Sequence, residues 1–82
     1  MIQIHYMVAR ADAHDPTQAS YSSRDFGKAS VETLDKARKW VTDTARHYAT
    51  MPVDLWSVDA TQDGKSVLHW RRGDALPLYT ED

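Results

Sequence analysis

Ser57, His69 and Asp59 are the residue types of a hydrolytic triad, and the sequence sets them on two segments that alternate with period two. In the hairpin register argued below, Ser57 stands directly opposite His69, with Asp59 nearby on the same face. Acyl transfer requires more than these types: a nucleophile held in a cleft beside oxyanion donors. A flat sheet face supplies neither, and the chain contains no Gly-x-Ser-x-Gly elbow. The three are therefore expected to be cross-strand polar neighbours, and no catalytic residue is assigned. His5 joins His69 and Asp59 as a possible zinc set on the same face. Asp43 and His47 stand at i, i+4, a spacing at which two ligands share a metal and equally that of an ordinary helix-surface contact. No third ligand accompanies that pair, no His-Glu-x-x-His motif occurs, and the chain has no cysteine. Neither a metal nor a cofactor is expected.

Recognition chemistry is better represented. At roughly 100° per residue, Trp40 falls about 110° from the centre of the apolar helical stripe. Lys36, Asp43 and His47 lie on its side of the helix. A tryptophan among polar neighbours is a common interface anchor, and the competing reading is a boundary residue folded over the sheet edge. Arg71 and Arg72, near Lys65 across the hairpin, form a second patch. The candidate partner-binding residues are thus Trp40, Lys36, His47, Arg71 and Arg72. Direct nucleic-acid binding is not expected, because the basic residues are few, and Trp70, which would have to stack, is read as buried. Arg72-Gly73-Asp74 spells an adhesive tripeptide but reads as a turn whose Asp74 accepts backbone N–H groups.

The elements that must position these residues follow from periodicity. Met1 to Val8 alternates, with Ile2, Ile4, Tyr6 and Val8 on one side, as in a half-buried strand. Ala9 to Gln18 reads as a polar loop. A second strand is expected from Ala19 to Phe26, with Gly27-Lys28 as its turn. Val31, Leu34, Ala37, Val41, Ala45 and Tyr48 recur at spacings of three and four, which predicts a helix over Val31 to Ala49. Ser30 is its expected N-cap and Pro52 ends it. The last segment reads as a hairpin. A three-residue loop, Gln62-Asp63-Gly64, would pair Trp56 with Trp70, Val58 with Leu68 and Asp54 with Arg72. A one-residue slip would turn the apolar set outward. Leu76, Leu78 and Tyr79 are expected against a sheet edge.

The expected fold is α+β: two layers, one α-helix packed on a mainly antiparallel four-stranded sheet in the order ββαββ. Its core would draw on Ile2, Ile4, Tyr6 and Val8, the stripe from Leu34 to Tyr48, and Trp56, Val58, Leu68 and Trp70. Leu55 and Met7 would lie on the other face. A chain of 82 residues accommodates one domain, spanning 1–82. With 41% hydrophobic and 27% charged residues it is globular rather than disordered. The 10 basic and 12 acidic residues leave a charge of −2, which provides no broad footprint for nucleic acid. No signal peptide or membrane span is read, so a soluble cytoplasmic protein is expected.

The helix entry from Ser30 to Arg38, the hairpin tip Gln62-Asp63-Gly64-Lys65 and the ending Trp70-Arg71-Arg72-Gly73-Asp74 resemble, in layout, small phage-encoded inhibitors of the anti-CRISPR type. The resemblance covers about the last two-thirds of the chain and transfers no functional residue. It implies a protein that occludes a partner without turnover. The leading expectation is a non-enzymatic module that binds another protein or protein complex. The alternative is a self-associating assembly protein, a homodimer through an open sheet face or edge strand. A metal- or nucleic-acid-binding domain stands behind both.

Overall fold

Alternation at the start of the chain makes strand β1 (Ile2–Arg10), whose Ile2 and Ile4 are buried in the core with helix residues Ala37 and Val41. Gln3 and His5, exposed, point to the opposite face. The structure is a computed structural model and describes residues 1–10 and 24–79. After β1 come β2 (Asp25–Val31), α1 (Leu34–Tyr48), β3 (Val53–Gln62) and β4 (Lys65–Arg71). All strand pairs are antiparallel, in the order β2-β1-β3-β4. This is the expected ββαββ arrangement, with one helix on one face of an open sheet. Since β2 and β3 each run antiparallel to β1, they are parallel to one another, and α1 carries the chain between them.

Several local expectations are corrected. Gly27-Lys28 is no turn: these residues lie within β2, opposite Tyr6 and His5. Ala29 and Val31 turn toward the core while Phe26, Lys28 and Ser30 are exposed, so period-two patterning prevails over the turn propensity of glycine. Of the expected second strand, residues 19–23 lie outside the described residues, as does most of the expected polar loop. The helix begins later than expected. Val31 pairs with Ile2 as the last residue of β2, and Thr33 is the N-cap, its Oγ1 accepting the Lys36 N–H at 3.2 Å. Asp35 in the first turn and Arg46 and His47 in the last suit the helix dipole.

The tail is the third correction. Thr42, 3% exposed, donates its hydroxyl to the carbonyls of Arg38 and Pro77, each at 3.2 Å. The tail therefore lies against α1 rather than a sheet edge, and Leu78 is exposed.

The β3–β4 turn is a two-residue one, Asp63-Gly64, with φ of 54° and 79°, the backbone of a type I′ hairpin. Gln62 pairs with Lys65 and Thr61 with Ser66 before the register shifts between Ala60 and Thr61. Beyond the shift, Ala60 faces Leu68, Asp59 faces His69, Val58 faces Trp70 and Ser57 faces Arg71. The expected three-residue loop and its pairs, Trp56 with Trp70 and Val58 with Leu68, are thus replaced. The side to which each of Val58, Leu68 and Trp70 points is unchanged, because the tight turn and the bulge together displace β4 by two residues.

A second shift, between Met7 and Val8, pairs Met7 with Ser57 and then Val8 with Leu55. Trp56 is the extra residue, and the alternation of β3 inverts around it. Leu55 is consequently a core residue, contrary to expectation, and Trp56 is half-buried. The indole N–H groups of Trp56 and Trp70 are buried without an acceptor among the described residues. Each costs about 1–3 kcal/mol, which the apolar area of the rings offsets.

The helix start is tested by two substitutions. Thr33→Ala should lower stability by about 1 kcal/mol through loss of the cap, whereas Ser30→Ala, on an exposed strand position, should change it by less than about 0.5 kcal/mol. Urea denaturation of both variants checks this, and the reverse order would place the cap at Ser30.

Candidate binding face

Helix α1 covers one side of the sheet. On the other side the registers assemble two rows that cross all four strands. One runs Lys28, His5, Asp59, His69 and the next runs Phe26, Met7, Ser57, Arg71. Between and around them is a shallow concavity of about 270 Å³, lined chiefly by His5, Met7, Phe26, Lys28, Asp59 and His69. Met7 forms an apolar floor at 5% exposure, while Phe26 stands at the rim, 72% exposed. The Arg24 guanidinium lies 5.5 Å from the Phe26 ring centroid, and the rest of this large aromatic side chain is open to water on the sheet face.

The charges on this face are unequally matched. Asp59 accepts the Ser66 hydroxyl at 2.7 Å through Oδ1, which also lies 3.8 Å from His69 Nδ1. Lys28 and Arg71, near opposite edges of the face, have no side-chain ion partner among the described residues. The Arg71 backbone N–H is engaged, donating to Asp74 Oδ2 at 2.9 Å. That bond, with the Asp74 N–H donating to the Arg71 carbonyl, closes the turn at Arg72-Gly73-Asp74 in the way its sequence suggests.

The proposed chemical sets disperse. Ser57 faces Arg71 and His69 faces Asp59, so the expected Ser57–His69 pair does not form. His5, Asp59 and His69 are consecutive in one row, but the two histidines are separated by two strand spacings, about 10 Å. Among the described residues, no group of three or more His, Cys, Asp or Glu is placed to hold a metal ion. Nor is any helix among them long and apolar enough to cross a membrane.

The helical recognition residues are separated from the open face by the sheet. Trp40 is half-buried, packed on the core with its ring 5.0 Å from that of Tyr6, and is the boundary residue of the two alternatives. Lys36 is exposed and paired with Glu32 at 3.1 Å. His47 is exposed, its ring edge-on to Tyr48 at 5.4 Å. At the hairpin end, Arg72 donates its backbone N–H to the Trp56 carbonyl, so the expected register position opposite Asp54 is replaced. Its guanidinium stacks 4.7 Å from the Trp56 ring and its Nε lies 3.2 Å from Asp54 as an ion pair. Arg71 lies on the open face. Phe26 and Lys28 were absent from the sequence-based candidates, because Phe26 was placed at a strand end and Lys28 in a turn. The alternation Phe26, Lys28, Ser30 against Gly27, Ala29, Val31 is the signal that places them.

No known protein family model matches the chain, and no curated protein or solved structure shows significant similarity to it.

The position of Phe26 and Lys28 depends on β2 lying close against β1 at Gly27. A Cβ there would collide with the ring of Tyr6, which Trp40 holds from the helix side. Gly27→Ala should therefore destabilise the fold by about 1–3 kcal/mol, and adding Tyr6→Leu should recover part of that loss. Chemical denaturation of the single and double variants checks both statements, and a neutral Gly27→Ala would contradict them.

Proposed function

We propose that this protein is a non-enzymatic protein-binding module that acts by occlusion, and that its contact surface is the uncovered face of the sheet. The observation that carries this reading is Phe26, 72% exposed beside the concavity floored by Met7. Interfaces centre on such aromatic and apolar anchors, surrounded by polar groups that exclude water. Arg71, one of the residues singled out from sequence, belongs to this face. Trp40, Lys36 and His47 would form a second surface on α1, but Trp40 already spends much of its ring on Tyr6 and Lys36 is engaged with Glu32. Arg72 is occupied by Trp56 and Asp54. In the setting that the phage-inhibitor layout implies, the partner is a bacterial defence complex whose working surface the module blocks without turnover.

Self-association is the competing reading, favoured by the outer edges of β2 and β4, which have no neighbouring strand among the described residues. Lys28 and Lys65 on those edges are residues of the kind that discourage strand addition. Light scattering at micromolar concentration separates the readings, since a stable dimer supports self-association and a monomer supports the binding module.

The surface is tested by capture from the cells that encode the protein. Phe26→Ser combined with Arg71→Ala should reduce recovery of the captured partner by at least about tenfold, while the triple change Lys36→Ala, Trp40→Ala and His47→Ala should leave most of it. Loss only with the helical triple variant, in a protein shown to be folded, would move the contact surface to α1.

A further inference from the structure

We infer that the open face receives an extended acidic segment of a partner protein, with one aromatic side chain between two carboxylates. This rests on the binding role proposed for the face and adds the chemistry of what binds. The protein carries a net charge of −2, yet this face presents two cations without an ion partner among the described residues, Lys28 and Arg71, against the single carboxylate of Asp59. Asp59 accepts the Ser66 hydroxyl at 2.7 Å.

Geometry narrows the ligand further. Lys28 on β2 and Arg71 on β4 lie three strand spacings apart, about 14 Å across the sheet, and in adjacent rows about 7 Å apart along the strands. The separation is about 16 Å in all, the excess being within the reach of the two long side chains. In an extended peptide, residues i and i+4 are separated by about 13–14 Å and point to the same side, as does i+2 between them. Carboxylates at i and i+4 can therefore reach the two cations while residue i+2 enters the concavity. At about 270 Å³ the concavity is below the ~300–1,000 Å³ of most small-molecule pockets and suits a single inserted side chain. Phe26 offers that side chain a ring edge or face, and Met7 a polarisable floor. A single-stranded nucleic acid is less well served. Such ligands need successive stacking rings and a continuous cationic groove, whereas this face has one phenylalanine with Arg24 over its ring, cations at Lys28 and Arg71 set apart from one another, and Asp59 between them.

The test is an amide NMR titration of the full chain with the blocked peptide Glu-Ser-Trp-Ser-Glu, using Lys-Ser-Trp-Ser-Lys and a hexathymidylate as comparators. The acidic peptide should shift the amides of Phe26, Lys28, Ser57 and His69, and its affinity should fall with added salt. The double variant K28E/R71E, with a dispersed spectrum showing that it folds, should bind the acidic peptide at least about tenfold more weakly and gain affinity for the basic one. The inference is overturned if the acidic peptide does not bind at millimolar concentration, if the basic peptide binds the wild type equally well, or if the shifts map to α1. Tighter binding of hexathymidylate would also overturn it and assign the face to nucleic acid. Should the peptide fail while Phe26→Ser with Arg71→Ala still abolishes partner capture, the acidic chemistry is wrong and the binding face stands. Should capture be indifferent to those changes as well, the proposed function falls with it.

Discussion

One helix can cover one face of a sheet. Helix α1, fifteen residues and so about 22 Å long, shields Ile2, Ile4, Leu55, Val58 and Trp70. Among the described residues no helix or strand lies on the other side. Every strand must then be apolar toward α1 and tolerant of water on the reverse, and that requirement organises the rest of the molecule. It explains why Ala29 and Val31 face the core while Lys28 and Ser30 are exposed. It also leaves Phe26, beneath the Arg24 guanidinium, and the histidine-bearing row on the solvent side of the sheet.

Keeping four strands in phase under that requirement takes two irregularities. The Asp63-Gly64 turn alone would set β4 out of phase with β3, placing apolar side chains opposite polar ones. The bulge at Ala60/Thr61 restores the match and brings Val58 against Trp70 and Ala60 against Leu68. On the other side of β3, the shift at Met7/Val8 inverts Leu55 and Trp56, burying the first and leaving the second half-exposed beneath Arg72. The turn and the bulge at Ala60/Thr61 also bring His69 into the row of His5 and Asp59, and Arg71 into the row of Met7 and Ser57. The candidate face is thus a product of register as much as of composition.

These features were unequally legible in the sequence. The helix stripe, the alternation of β1 and the ββαββ order were readable, because a long apolar period has few competing explanations. Side-chain direction at Val58, Leu68 and Trp70 was readable for a related reason, since burial penalises their wrong face heavily, whereas the bulge at Trp56, which inverts Leu55 and Trp56, left no mark in the alternation. The exact partner of each residue was not. A two-residue turn plus a bulge and a three-residue loop give the same facing pattern, and only hydrogen-bond geometry separates them. The helix start was misplaced because Ser30 and Thr33 both suit an N-cap, and the decision belongs to Val31, which gains more by pairing with Ile2 in the sheet. The face itself was half visible: Arg71, His5 and His69 were noted, whereas Phe26 and Lys28 were obscured by a glycine that serves close packing against Tyr6 instead of a turn.

The central claim is that the uncovered sheet face, centred on Phe26, is where this protein meets its partner. Hydroxyl-radical footprinting of side chains, with and without the captured partner, tests it most directly. Fast modification of Phe26 is expected in the free protein and strong protection of Phe26, His5 and His69 in the complex, with Trp40 and His47 unchanged. Slow modification of Phe26 in the free protein, or protection confined to Trp40 and His47, would contradict it.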